Sequence, residues 1–389
     1  MTSSSFSRRA LVSAALSGAA LAAAGIPTRA AASTAVAVPP LDTQALRAAI
    51  SDLDHPQVTA AQVRVSGSAG SWYGTSGVAE IRTGRPVGAD DTFRIGSITK
   101  VFVATVVLQL IAERRVDLNT PIQRYLPGLL PAAFAPIMVS QLLNHTSGLP
   151  NESGPDVPDL STPEGVFQHR FDQWTPDRLV ATVTRLPMKF APGTRQEYRG
   201  VNYILLAMLI EKVTGHPYSD EITARFLRPL GMKHTVVPGN DTRIHGPHVH
   251  GYLAMTDGTL RDITVVNPSD SWGEGEMIST SGDLDRLVSA LFSGALLPPH
   301  LLRKMFALPP EDVLMLDGTP ARYSTGLQTV TLNGITFWGK TGEQYGYANG
   351  MFSTRDQQRR IIFAFNPTHR DATQQQMTLR IAQAATNAP

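Results

Sequence analysis

An apolar run, VFVATVVLQLIAERR from Val101 to Arg115, is hydrophobic almost all round until its charged end. It contains no glycine or proline, so it predicts a buried helix rather than an amphipathic surface one. Gly96 and Ser97 ahead of it supply a start signal. A helical pattern also covers Thr43–Leu53. Two strand-like runs follow, Val58–Val65 and Trp72–Ile81, with Gly- and Ser-rich turns. From Asn119 to about Gly273 the chain reads as helical patterns broken by loops. Tyr203–Lys212 is the clearest helix there, with Gly215 suited to its C-cap. Asn151–Thr175 is polar and proline-rich and predicts a surface loop. Leu284–Phe292 reads as a helix with Ser281 or Asp283 as N-cap. Strand signals return in Gly326–Leu332 and Ile335–Trp338, a hairpin over Asn333-Gly334. Ala348–Ser353 and Arg360–Asn366 make a second hairpin over Arg355-Asp356. Thr373–Ala385 predicts a closing helix.

Strands at both ends with helices between them predict an α+β fold. One antiparallel sheet is built from N- and C-terminal segments and flanked by helices, with a mostly helical insertion. The expected division is a sheet domain over 42–115 and 275–389 and a helical domain over 116–274. No internal repeat is visible. At 389 residues, with 42% hydrophobic and 17% charged residues, the chain is globular with ample core.

Residues 1–32 read as an export signal of twin-arginine type. Ser7-Arg8-Arg9-Ala10-Leu11 precedes an alanine-rich apolar run, and Ala30-Ala31-Ala32 suits small-residue cleavage. Residues 33–41 form a leader, and the mature protein is expected to be secreted. Removing the signal takes away three arginines and no acids, moving the formal charge from +2 to −1. The apparent basicity therefore belongs mostly to the signal, and nothing points to a nucleic-acid partner. No later run is long enough to span a bilayer, so no stable membrane insertion is expected after signal removal. There is no cysteine, so the fold rests on its core alone.

Ser97 and Lys100 stand three apart at the head of the apolar run, on one helical face. A serine hydroxyl needs a base before it is a useful nucleophile. A buried lysine can lose its charge by desolvation and become that base. With only six lysines in the chain, chance alone supplies about half of one such pair, so the placement matters more than the match. The competing reading is a helix cap beside a snorkelling lysine. Lys340-Thr341-Gly342 uses another lysine between the C-terminal hairpins. It can offer a cation, a hydroxyl and backbone N–H groups to one substrate, or be a plain strand and turn. Tyr198 in APGTRQEYRGVNY lies just ahead of a helix, where a phenol can relay a proton or merely cap. His245, His248 and His250 invite a metal reading, but the triplet has no acidic or cysteine partner and reads as a surface loop. No metal or cofactor is implied. Trp272, Tyr345 and Tyr347 read equally as pocket lining or as packing.

Taken in order, Ser97-Ile98-Thr99-Lys100, Tyr198 and Lys340-Thr341-Gly342 resemble the serine β-lactamase and penicillin-binding superfamily. The likeness is to class C β-lactamases, family VIII esterases and secreted S12 DD-carboxypeptidases, and it covers roughly residues 40–385. LLNHTSGLP, IEKVTGHP and ISTSGDLDRLVSAL fit the same pattern. The resemblance implies a secreted serine hydrolase working through an acyl-enzyme on Ser97. Lys100 would be the base, mostly neutral or sharing a proton with Tyr198. Tyr198 would also protonate the leaving group, and Lys340 would help keep it deprotonated. The backbone N–H groups of Ser97 and Glu343 would form the oxyanion hole.

Three departures from the family pattern bear on substrate. The usual Tyr-x-Asn is Tyr198-Arg199-Gly200. Gln328 stands where DD-carboxypeptidases carry an arginine for a terminal carboxylate. Glu343 follows the Lys-Thr-Gly triplet where a small or hydroxylic residue is usual. Thr341, Gly342, Glu343, Gln328 and Trp272 are thus the expected substrate-binding residues. Three readings compete: a D-alanyl-D-alanine carboxypeptidase-like enzyme or related D-amino acid amide hydrolase, meeting peptidoglycan fragments or β-lactams; an esterase or acyltransferase with a neutral or amine-bearing substrate; and a catalytically weak penicillin-binding domain.

Overall fold

The computed structural model describes residues 38–54 and 57–386. The export signal expected over 1–32, and the leader up to residue 37, lie outside the described residues. Helix α1 (Thr43–Ser51) starts at Asp42, whose carboxylate accepts from the backbone N–H of Gln44 and Ala45. It buries Leu46, Ala49 and Ile50, one face at helical spacing. Strands β1 (Val58–Ser66) and β2 (Trp72–Glu80) pair as an antiparallel hairpin, and the two-residue β3 (Arg85–Pro86) edges it. Helix α2 (Thr99–Ala112) begins two residues after Ser97 of the expected start signal. A single 3-10 turn, Gly96–Ile98, feeds it, so Ser97 sits on that turn and not on the helix.

Helix α3 (Val201–Thr214) ends at Gly215, whose φ of 79° is the left-handed conformation that closes a helix. Helix α4 (Ser281–Phe292) is capped by Thr280, one residue earlier than expected. The Thr280 hydroxyl accepts from the Asp283 N–H, while the Asp283 carboxylate turns to the His234 N–H and the Thr235 hydroxyl. The polar stretch 151–175 is not all loop. Thr162 caps a short helix, Pro163–His169, that buries Val166.

Strands β4 (Gln328–Leu332) and β5 (Ile335–Gln344) turn through Asn333 and Gly334, both at positive φ, as the dipeptide predicts. Strands β6 (Tyr347–Thr354) and β7 (Arg360–Pro367) follow, then helix α5 (Thr373–Thr386). The seven-stranded sheet has the order β4-β5-β6-β7-β1-β2-β3 and is antiparallel throughout. Both ends of the chain build it, because β7 pairs with β1.

Strand β5 runs well past Trp338. It pairs with β6 from Phe337↔Thr354 to Gln344↔Tyr347, so the Lys-Thr-Gly triplet is strand rather than connector. Cross-strand pairing overrides the weak strand preference of its glycines and polar residues. The sheet is covered on both faces. Leu46, Ile50, Met377 and Ile381 of α1 and α5 pack on Val63, Phe363 and Phe365. The other face meets the larger core around α2, α3 and α4. Every residue of β6 is buried, as a strand covered twice requires. Among the described residues, no helix is long and apolar enough to cross a membrane.

Candidate active site

The 3-10 turn carrying Ser97 packs against β5. The fit depends on Gly342, where a Cβ would stand 1.9 Å from the Ile95 carbonyl oxygen. Side chains two apart share a strand face, so Lys340 reaches toward the same place. Tyr198 arrives from the loop that opens α3. Its hydroxyl donates to Ser97 Oγ at 2.7 Å, and Lys100 Nζ donates to the same oxygen at 3.0 Å. Lys340 Nζ lies 4.6 Å from the Tyr198 ring centroid. Residues from two separate motifs therefore meet at one hydroxyl, and Lys340 from the third stands over the phenol ring.

Lys100 has no exposed surface. A bare ammonium there would cost several kcal/mol, and the partner that offsets this was not foreseen. Lys100 Nζ donates to Glu274 Oε2 at 2.6 Å and to the Glu274 carbonyl oxygen at 2.9 Å. Burial lowers the lysine pKa, and the Glu274 carboxylate opposes that fall. The geometry pairs Lys100 with Glu274, yet the lysine pKa stays lowered, in the direction of the neutral form expected from the sequence. The Tyr198 expectation changes. Burial, reinforced by the nearby carboxylates Glu274 and Glu343, raises its phenol well above the ordinary value. Tyr198 is a protonated donor to Ser97, not a phenolate held by Lys340. His145, from LLNHTSGLP, stacks on Tyr198 at 4.4 Å between centroids, and Tyr323 packs at 5.1 Å. Burial and then the Lys100 and Lys340 cations push His145 well below its usual value, so it is neutral and accepts from the Arg199 N–H. Both rings fix the phenol's position.

This arrangement of hydroxyl, lysine and phenol is what the motifs imply, and a family model described as Beta-lactamase matches residues 46–386. The chain belongs to the β-lactamase family. It is a serine hydrolase. It is 33% identical over 165 residues to the esterase EstB of Burkholderia gladioli, covering 40% of this chain and 41% of that one. It is 28% identical over 235 residues to a putative D-alanyl-D-alanine carboxypeptidase of Escherichia coli (strain K12), covering 52% and 51%. The chain thus spans about two-fifths to half the length of these curated relatives. Solved structures cover more. A D-stereospecific amidohydrolase from Streptomyces sp. superposes with a TM-score of 0.76 at 33% identity, over 88% of this chain and 98% of that one. The D-amino acid amidase of Ochrobactrum anthropi SV3, complexed with L-phenylalanine amide, gives 0.74 at 27% identity, over 88% and 97%.

Within this β-lactamase-family frame the departures acquire geometry. The Gln328 side-chain oxygen accepts from Lys340 Nζ and Thr341 Oγ1, each at 3.3 Å. An arginine at that place would set a second cation against Lys340. Burial raises the Glu343 carboxyl, while Arg370 and Lys340 pull it down. Arg370 Nη2 stands 4.0 Å from Glu343 Oε2 and stacks on Tyr345. The cleft beside Ser97 is lined by Asp270, Glu274, Glu343, Tyr345 and Arg370 among others. Trp272 is not in that lining. It packs edge-on against Tyr218 at 4.9 Å and lies partly buried against the larger core. Tyr347 is likewise core, donating to the Val249 carbonyl oxygen. His245 and His250 pair with Asp241 and Asp262, and His248 stacks on His250. Among the described residues no group of three or more His, Cys, Asp or Glu side chains could hold a metal ion.

Glu274 and Arg370 carry no motif of their own, and only the proximity of Glu274 to the flagged Trp272 hinted at it. Next to Glu274, buried Glu276 accepts from the Tyr218 hydroxyl and the Gly273 N–H. Burial pushes its carboxyl from the ordinary 4.5 up to about 7. A raised folded-state pKa means the unfolded chain releases this proton first as pH rises. The contribution of Glu276 to stability is therefore expected to be full below about pH 4.5 and to fall by about 3 kcal/mol through pH 7. Thermal unfolding from pH 5 to 8 checks this, and Glu276→Gln should flatten that decline. An equal decline in the variant would assign it to other groups.

Proposed function

We propose that the chain hydrolyses amides and esters of D-amino acids through an acyl-enzyme on Ser97, in preference to peptides ending in a free D-alanine carboxylate. The observation that carries this reading is the charge of the cleft. Three acidic side chains, Asp270, Glu274 and Glu343, line the cleft with one arginine, Arg370. Glu343 approaches Arg370 and Glu274 is paired with Lys100, which leaves Asp270 and the second Glu274 oxygen to set the sign. A carboxylate-ending substrate meets repulsion there, whereas a neutral or amine-bearing one does not. The D-specific names of the Streptomyces and Ochrobactrum enzymes support the same substrate class. An adjoining pocket shares Leu160, Asp270, Gly275, Gln344 and Tyr345 with the cleft, and Val166, Trp174, Ile263 and Val266 give it an apolar portion. It suits an apolar side chain.

In this mechanism Ser97 Oγ bonds to the substrate carbonyl carbon and its proton passes to Lys100 in the neutral form. The oxyanion accepts from the backbone N–H groups of Ser97 and Glu343. The carbon–leaving-group bond breaks as Tyr198 gives its proton to the departing amine or alkoxide. Lys100 then reprotonates Tyr198. Water next bonds to the acyl carbon as its proton passes to Lys100. The carbon–Oγ bond then breaks as Tyr198 gives its proton to Oγ, Lys100 reprotonates Tyr198, and the free D-amino acid leaves. No step needs a cofactor.

The test compares kcat/KM for a D-alanyl peptide acid with its methyl ester or amide. Losing a carboxylate-binding arginine and gaining an anion should favour the neutral form roughly tenfold or more. Glu343→Thr with Gln328→Arg should reverse the order. A clear preference for the free acid in the wild type would replace this reading with a DD-carboxypeptidase.

A further inference from the structure

On the reading that the substrate is an amine-bearing D-aminoacyl compound, we infer that Glu274 receives the substrate's α-ammonium, and that Gly200 exists to give its carboxylate room. Gly200 is the third residue of the triplet in which the family pattern has asparagine. A Cβ at Gly200 would stand 2.2 Å from Glu274 Oε2 and 2.3 Å from Oε1. No side chain at 200 can coexist with that carboxylate in this position. The carboxylate therefore fills space that the asparagine's own first side-chain atom would need. The two positions lie 74 residues apart in sequence, yet the departure at one makes room for the side chain of the other.

The exchange changes the chemistry beside the nucleophile. An asparagine amide both donates and accepts, so it can grip a neutral substrate amide. A carboxylate only accepts, and its two oxygens offer about four sites. Lys100 takes Oε2 at 2.6 Å. Glu274 Oε1 has no hydrogen-bond partner among the described residues, and the side chain keeps 21% exposure in the cleft that holds Ser97. Lys100 touches both Ser97 Oγ and Glu274 Oε2, so the carboxylate lies one short side-chain contact from the nucleophile. An α-ammonium sits two bonds from the carbonyl carbon that Ser97 attacks. That puts its three N–H donors within reach of Oε1 when the ester or amide is in place. Arg199, the middle residue of the triplet, is occupied elsewhere: it holds the Pro150 carbonyl oxygen, Asn151 and Glu152. Of the triplet's last two positions, only the vacancy at Gly200 opens toward Glu274.

An N-acylated substrate has no such cation. Its amide would bring a carbonyl oxygen toward the carboxylate and lose a charge-assisted bond. The site is thus specific for a free amino terminus on the acyl side, which peptide substrates joined there through an amide do not have.

The experiment measures kcat and KM for D-phenylalanine methyl ester and N-acetyl-D-phenylalanine methyl ester, with the wild type, Glu274→Gln, and the double variant Gly200→Asn with Glu274→Ala. The wild type should favour the free amine roughly 10- to 100-fold, the scale of one charge-assisted contact. Glu274→Gln should bring the ratio within about threefold of unity, chiefly by raising KM for the free amine. Its effect on Lys100 falls on both esters alike and cancels in the ratio. The double variant restores a neutral amide and should tilt the preference toward the acetylated ester. Circular dichroism establishes that each variant is folded. Hydrolysis of both esters with an unchanged ratio in Glu274→Gln, or no preference in the wild type, would overturn this inference and leave the functional reading standing. Failure to hydrolyse either D-ester, with p-nitrophenyl acetate still cleaved, would take down the functional reading and this inference with it.

Discussion

Ser97→Ala is expected to lower kcat/KM roughly 10⁴- to 10⁶-fold, the scale seen when the nucleophile is removed from a set of residues that acts as a unit. Ser97 Oγ is the one atom on which Lys100 and Tyr198 both converge, at 3.0 and 2.7 Å. Its removal takes away the bond-forming atom and leaves the rest of the set without a target. The fold should survive. The turn that carries Ser97 is pinned by Gly342 against Ile95 and by the buried run of α2, neither of which uses the hydroxyl. Lys100 keeps its ion pair with Glu274 in the variant. Covalent labelling by a fluorophosphonate or a β-lactam, read by intact mass, should disappear, while the circular dichroism spectrum stays unchanged. Labelling or turnover near the wild-type level would remove Ser97 from the chemistry.

Lys100→Arg is expected to slow acylation by roughly 10³-fold or more, the upper range for losing a general base. The guanidinium keeps the charge that Glu274 pairs with but cannot give up its proton near neutral pH. A lysine amine can be deprotonated and act as a base. Burial lowers the Lys100 pKa, and Lys340 and neutral His145 add no compensating anion, although the Glu274 carboxylate holds the fall back. Tyr198, Tyr203 and Tyr323 also face it and are all raised, so none supplies a competing negative charge. Acylation should therefore rise with pH as Lys100 loses its proton, and the arginine variant should lose this rising limb. Single-turnover acylation rates between pH 6 and 9 make the comparison. An arginine variant within tenfold of wild type, with the same pH limb, would assign the base elsewhere.

Much of this site was legible before any coordinates because its parts are local. Ser97 and Lys100 are neighbours by helical spacing alone, and the 3-10 turn that replaces the first helical turn preserves that proximity. The order Ser97, Tyr198, Lys340 and the strand signals at both chain ends pointed to the α+β frame. The Asn333-Gly334 turn followed from its own backbone preference. The N-cap of α4 and the end of β5 were less well placed, since a neighbouring threonine and a partner strand decide them.

What the chain determined by itself was the set of candidate side chains and the frame that holds them, because hydrophobic period, turn chemistry and short spacings act over a few residues. Tertiary structure decided their charge states and the company they keep. Lys100 meets Glu274 across 174 residues, with the carboxylate placed in the space that a Cβ at Gly200 would need. Tyr198 keeps its proton because the folded core strips it of water beside Glu274 and Glu343, and Trp272 packs against the same core. Desolvation and long-range charge exist only once the chain is packed, so no local pattern could have announced them.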